Sequence, residues 1–178
     1  MKMTNYSALK ELFNINFYVD DARVSILNIE KEYDLMFLDA FTYSKAPELW
    51  SVEFVAELYK RLSPCGLLMT YSTSALVRKT LLDNSFYVGK ICDKKTGKAI
   101  GTIASKDKSL IDNPLSNYEM GLCSTKAGIP YHDPLLNLPR EEILARRMID
   151  FENSDLMSSS QYSKMRSKKE DDSVNDDE

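Results

Sequence analysis

The chain has 178 residues, a formal net charge of −4, 43% hydrophobic and 28% charged residues, the balance of one globular domain with a buried core. No run approaches eighteen apolar residues, and the start MKMTNYSALKELF lacks the apolar stretch and cleavage site of a secretory leader, so a spanning helix and a signal peptide are excluded. Three scattered cysteines and one histidine, His132, leave no disulfide framework and no metal centre and point to the reducing cytoplasm.

Residues 3–13 read as a short helix with Leu9, Leu12 and Phe13 at helical spacing. Asn16 to Val19 reads as a strand stopped by Asp20-Asp21-Ala22, and Val24 to Glu30 as a short helix. The apolar run Leu35 to Leu38 reads as a strand covered on both faces, ending at Asp39. After the loop AFTYSKAPELW, Pro47 fits a first helical turn with Ser44 as a cap. Trp50, Phe54, Val55, Leu58 and Leu62 predict a helix over 48–62, which the turn Ser63–Gly66 ends. A strand over Gly66–Tyr71, a helix over Thr73–Asn84 and a strand over Phe86–Ile91 follow. The alternation predicts parallel βαβ units in an open α/β sheet. Beyond residue 92 the helical signal stops, and Ala99–Ala104 and Tyr118–Cys123 read as antiparallel edge strands. Arg140–Phe151 reads as a helix with acids at its start and Arg146 and Arg147 further on, the order the helix dipole favours. One domain over 1–153 is expected, then a disordered Ser- and Lys-rich segment and acidic tail over 154–178. Six acids in the last nine residues account for the negative charge, and the rest is mildly basic.

Ligands of open parallel sheets bind beyond the carboxyl ends of the strands, where Asp21 and Asp39 stand. A carboxylate there accepts hydrogen bonds from an amine or a sugar, although Asp is also a common cap and loop residue. Trp50 and Tyr71 either meet an unpaired base or pack internally. Lys90, Lys94, Lys95, Lys98, Lys106 and Lys108 form either a phosphate-binding cluster or a solvated hairpin face. A Ser-His-Asp hydrolase is a weaker reading, since His132 is the only histidine available and no G-x-S-x-G elbow is present.

Several of these features resemble one family in order. Phe37-Leu38-Asp39-Ala40-Phe41, Lys45-Ala46-Pro47-Glu48-Leu49-Trp50, Pro64-Cys65-Gly66, and Thr70-Tyr71-Ser72 with Val77-Arg78 resemble the methyltransferase part of the MnmC/MnmD-type tRNA wobble-uridine enzymes. GTIAS and TKAGIPYHDP are similar to a bacterial branch. The resemblance implies a Rossmann-like class I methyltransferase fold, mostly parallel with an antiparallel carboxyl-terminal edge. It implies S-adenosyl-L-methionine as cofactor, a tRNA anticodon loop as partner, and 5-aminomethyl-2-thiouridine as the wobble base that is N-methylated. Asp39 then resembles the catalytic acid beside the donor, and Asp21 and Ala22 the adenine-binding pair. Phe41, Lys45, Trp50 and Tyr71 would face the nucleoside. No metal and no membrane are implied.

The Gly-rich turn of donor-binding domains is missing, since the first of six glycines is Gly66. The resemblance implies strand order 3-2-1-4-5-7-6, of which this chain, N-terminally truncated on that reading, would start just before strand 3. The stretch at 16–19 is then expected to be orphaned or to pair directly with 34–39. The Leu35–Leu38 run would gain an open edge and an uncovered face, and donor binding would be poor. A missing N-terminal segment or a separate oxidase domain would be partners. The alternative function is a non-catalytic tRNA-binding or subunit-like fragment.

Overall fold

The computed structural model describes residues 15–175, with side chains through residue 167. The helix expected over 3–13 lies outside the described residues. Asn16 to Val19 forms no strand and is exposed, Val19 at 97%. Helix α1 spans Ala22–Leu27, not 24–30, because the Asp21 side chain accepts from the Arg23 N–H and sets the first turn.

Strand β1 is Tyr33–Phe37. The expected helix over 48–62 is two pieces. Pro47–Trp50 is a 3₁₀ turn with no side-chain cap, so Ser44 does not start it. Ser51 breaks the run in an extended conformation, and its Oγ accepts from the Phe54 N–H to cap α2, Val52–Arg61. Phe54, Val55 and Leu58 of α2 are buried.

Strand β2, Leu62–Thr70, starts directly at the end of α2. The expected turn at Ser63–Gly66 is therefore part of the strand, as a bulge where the pairing jumps from Tyr33/Leu62 to Leu35/Leu67. Pro64 has no N–H to give a ladder, and a bulge at a sheet margin tolerates it. Helix α3, Ala75–Asp83, is capped by Ser74 and buries Leu76, Val77 and Leu81. Strands β3, Tyr87–Cys92, and β4, Ala99–Ser105, form a hairpin.

The sheet order is β1-β2-β4-β3, with β1 and β2 parallel and β4 antiparallel to both its neighbours. This is the 4-5-7-6 half of the order that the resemblance implies. β4 is thus an inner strand, where an edge strand was expected. The α2 and α3 side covers Leu68, Val88 and Ala104, which join Trp50, Leu62, Leu76, Leu81 and Ile143 in the core. The opposite face of β1 is uncovered: Leu35 is 48% and Phe37 71% exposed. Full burial of such a side chain contributes roughly 1.5–3 kcal/mol, of which Leu35 forgoes about half and Phe37 more.

The segment Asn117–Cys123 is helix α4, not a strand. Ser116 caps it and Glu119 reaches back to the Ser116 N–H, a capping box that decides for helix. Helix α5 spans Arg140–Asn153 and buries Ile143. Helix α6, Ser159–Asn175, occupies the stretch expected to be disordered. Tertiary contacts anchor its start: Tyr162 packs on Tyr118 at 5.7 Å between ring centroids, and the Tyr118 and Ser163 hydroxyls meet at 2.7 Å.

Candidate active site at the carboxyl ends of the parallel strands

β1 and β2 end side by side, with Phe37 opposite Met69. Leu38 still donates its N–H to the Met69 carbonyl at 2.9 Å, and Asp39 is the first residue to leave the sheet. Its side chain is exposed and has no hydrogen bond or ion pair among the described residues. Two cavities flank it and share Asp39 and Tyr71. One, of about 390 Å³, has apolar walls from Phe37, Met69, Ile91 and Ile100. The other, of about 510 Å³, is lined by Phe41, Thr42, Lys45 and Leu49.

Side chains hold the loop after Asp39 by its carbonyls. Tyr71 Oη donates to the Ala40 carbonyl at 2.7 Å, Trp50 Nε1 to Phe41 at 2.8 Å, and Arg140 Nη2 to Ser44 at 3.0 Å. The Phe41 ring is left 77% exposed. Asp39, Phe41, Lys45 and Tyr71 are thus brought together. Trp50, expected among the residues facing a base, is 1% exposed and lies beneath the loop.

Asp21 and Ala22 line neither cavity. Asp21 caps α1 and pairs with Arg23 at 2.7 Å, and the Arg23 hydrogen bonds hold its carboxyl below the usual carboxylate value. Arg23 also reaches the fully buried Asp133 at 2.7 Å and the Leu138 carbonyl at 2.9 Å, clamping α1 to the chain before α5.

A buried network underlies the Tyr71 end of the site. Arg78 Nε donates to Thr102 Oγ1 at 3.2 Å, and Thr102 Oγ1 donates to the Ser72 carbonyl at 2.6 Å. Arg78 also pairs with Glu119 at 2.9 Å, and Lys90 with the same carboxylate at 3.0 Å. Burial pushes the Glu119 carboxyl up, but bonds from Ser116 and Lys90 and the charge of Arg78 overcome this and hold it at about 2.

Sequence reasoning missed Met69, Ile91 and Ile100 as cavity walls. Ile91 and Ile100 reach Asp39 only because β4 inserts beside β2, and no local signal marks them. Gly101 permits that approach, since a Cβ there would lie 2.5 Å from the Thr70 carbonyl oxygen. Among the described residues no group of three or more His, Cys, Asp or Glu is placed to hold a metal ion, and no helix is long and apolar enough to cross a membrane.

Residues 2–107 match the profile of a family described as S-adenosyl-L-methionine-dependent methyltransferase. The chain belongs to this family. It is 32% identical over 136 residues to an uncharacterized protein of Methanocaldococcus jannaschii, covering 75% of this chain and 38% of that protein. A tRNA 5-methylaminomethyl-2-thiouridine biosynthesis bifunctional protein MnmC from Leptospira borgpetersenii is 26% identical over 132 residues, 74% of this chain and 18% of that protein. The crystal structure of MNMC2 from Aquifex aeolicus superposes with a TM-score of 0.70 at 31% identity, covering 76% of this chain and 44% of that one. The chain therefore spans less than half the length of these relatives.

The family's methyl donor is S-adenosyl-L-methionine. The described residues offer it one carboxylate and an apolar wall. They lack the Gly-rich turn at a helix start whose N–H groups cradle such a cofactor. The Asp21 carboxylate, which would take the adenosine end, is occupied by Arg23. Residues 15–175 by themselves thus do not fit the whole donor.

Proposed function

We propose that this chain carries the acceptor side of a tRNA methyltransferase site, acting on the primary amine of 5-aminomethyl-2-thiouridine at the wobble position. The observation that carries this reading is the unpaired Asp39 carboxylate on the sheet rim, between two cavities that share it. A primary amine is an ammonium at neutral pH and must lose a proton before its lone pair attacks a methyl group. Asp39 accepts that proton or orients the free amine by a hydrogen bond. When bound, the donor supplies the methyl group as a sulfonium.

The exposed Phe41 ring provides a face for an unstacked base, and Lys45 on the same wall provides a cation for nearby phosphate or carbonyl oxygens. Tyr71 is engaged by the Ala40 carbonyl, so its part is to hold the loop. The names of the MnmC relatives support tRNA as the substrate class, and a cytoplasmic setting follows from that substrate.

The test is made in cells. Mass spectrometry of tRNA nucleosides is expected to show 5-aminomethyl-2-thiouridine accumulating when the gene for this chain is deleted. The unaltered gene should restore its methylation. Asp39→Asn should lower methylation by about 10²–10⁴-fold without changing the amount of folded protein. Normal methylation by that variant removes Asp39 from the mechanism. The missing donor cradle favours a second reading, an RNA-binding module without donor binding. Unchanged nucleosides on deletion would favour it over the enzyme.

A further inference from the structure

Of the six lysines between residues 90 and 108, three are used by the fold or lie elsewhere. Lys90 is paired with Glu119. Lys106 donates to the Leu62 carbonyl and lies 4.7 Å over the Tyr59 ring. Lys108 lines a different cavity, with Phe86 and Ile111. Lys94, Lys95 and Lys98 remain. All three are exposed, and none has an acidic partner among the described residues.

These three share the tip of the β3–β4 hairpin, and the tip has a defined shape. The Asp93 carboxylate accepts from the Lys95 and Thr96 N–H groups and the Thr96 hydroxyl. Asp93 N–H donates to the Lys98 carbonyl, and Gly97 N–H to the Asp93 carbonyl, both at 2.8 Å. Gly97 has φ +68°, a conformation that glycine takes without strain. Asp93, the acid nearest in sequence, is thus turned onto the backbone of the tip, and the three ammonium groups stand in solvent.

Topology places this tip at the site. β4 runs antiparallel to β2, so the hairpin projects beyond the carboxyl ends of β1 and β2. Ile91 and Ile100 of its two strands line the apolar cavity that includes Asp39. Lys98 lies two residues beyond Ile100, roughly 7 Å along an extended chain, about the distance from a base site to the phosphates of a flanking nucleotide.

We infer that the Lys94–Lys98 hairpin tip is a phosphate clamp that holds the RNA backbone beside the nucleotide in the Asp39 site. The inference rests on the tRNA reading above and adds to it which surface supplies the backbone contacts. Lys45, on the opposite side of Asp39, gives the site a cation on either flank. Phosphate contacts of this kind position a strand and carry no sequence information.

Binding of an anticodon stem-loop RNA to the 178-residue chain, followed by fluorescence anisotropy across a salt series, tests this. Replacing Lys94, Lys95 and Lys98 by Ala should weaken binding on the order of tenfold at moderate salt. It should also flatten the slope of log K against log salt by about 2, since each single-strand phosphate contact contributes roughly 0.7–1. Lys94→Glu with Lys98→Glu should weaken it further. Lys108→Ala, at the separate cavity, should leave the salt slope unchanged, which separates the clamp from a general loss of surface charge. Unchanged affinity and slope in the triple variant overturn the clamp even if cellular methylation requires Asp39. No RNA binding by the unaltered chain also overturns it, whereas the reading of the base site is decided separately by the nucleoside analysis.

Discussion

His132 is the only histidine in the chain, and its Nδ1 lies 3.1 Å from Glu53 Oε1. The same carboxylate accepts the Asp133 N–H at 2.7 Å. The hydrogen bond to Glu53 raises the His132 pKa above its ordinary 6.5. Burial pushes Glu53 up, but its bonds from His132 and Asp133 hold it below 4.5. A raised histidine stabilises the fold fully below its unfolded pKa, and this is lost as pH rises through the folded value. A lowered carboxylate contributes above its unfolded pKa and loses this as pH falls through the folded value. The pair is therefore most stabilising between about pH 4.5 and 6.5. Thermal unfolding should show a Tm that falls as pH rises above about 6.5 and that falls less steeply in His132→Gln, because histidine is the side chain whose ordinary pKa lies in this range. An unchanged pH profile in that variant would show that the pair does not couple to folding. The effect is small, since the histidine side chain is 43% exposed and solvent screens it. At this same scale Asp39 was legible, because an acid that closes an apolar strand is visible in sequence. Trp50 was not, because an aromatic at the start of a helical stripe looks the same whether it faces a ligand or the core.

Helix α4 shows how one short element changes the sheet. Its signal, Ser116 followed three residues later by Glu119, is a local helix start, whereas the apolar content of Tyr118–Cys123 reads equally well as strand. Glu119 caps its own helix and also neutralises Arg78, whose side chain is 6% exposed. Glu119→Ala should cost about 3–5 kcal/mol, the cost of leaving a buried cation unpaired, and lower Tm by about 10 °C. Glu119→Gln, which can still accept from the Ser116 N–H, should cost less. Equal Tm values for Glu119→Ala and the unaltered chain would exclude a structural role for the network. The folded pKa of about 2 means this stability is present above about pH 4.5 and lost as pH falls toward 2. Strand β1 shows the opposite case. Its apolar run fixes it as a strand, but whether one face or two are covered depends on elements distant in sequence, and here Leu35 and Phe37 stay open. An open apolar edge of this kind is a pairing hazard.

Among the described residues the sheet keeps the 4-5-7-6 part of the strand order that the resemblance implies, with the Asp39 rim at one margin. Uncovered side chains, each forgoing part of roughly 1.5–3 kcal/mol, weigh against a domain stability of about 5–15 kcal/mol. The same geometry sets donor affinity: a carboxylate and an apolar wall without a backbone cradle hold a cofactor weakly. Titration calorimetry of the 178-residue chain with S-adenosyl-L-methionine is expected to show weak or no heat of binding. Tight, stoichiometric binding would show that residues outside 15–175 or a rearranged Asp21 complete the site.

Sequence alone determined the α/β class, the helices built on the Phe54–Leu58 and Leu76–Leu81 stripes, the hairpin, the family and the acid that ends β1, because these rest on periodicity, capping and motif order within short spans. The tertiary structure alone decided that Ile91 and Ile100 wall the cavity at Asp39, that Asp21 is spent on Arg23, and which three lysines stay unpaired; the place of β4 between β2 and β3 was implied by the family's strand order but not by the local pattern, which read it as an edge. Each of those depends on strand neighbours and ion partners far apart along the chain. No local pattern encodes such pairings, because they are chosen by the burial and charge balance of the assembled molecule.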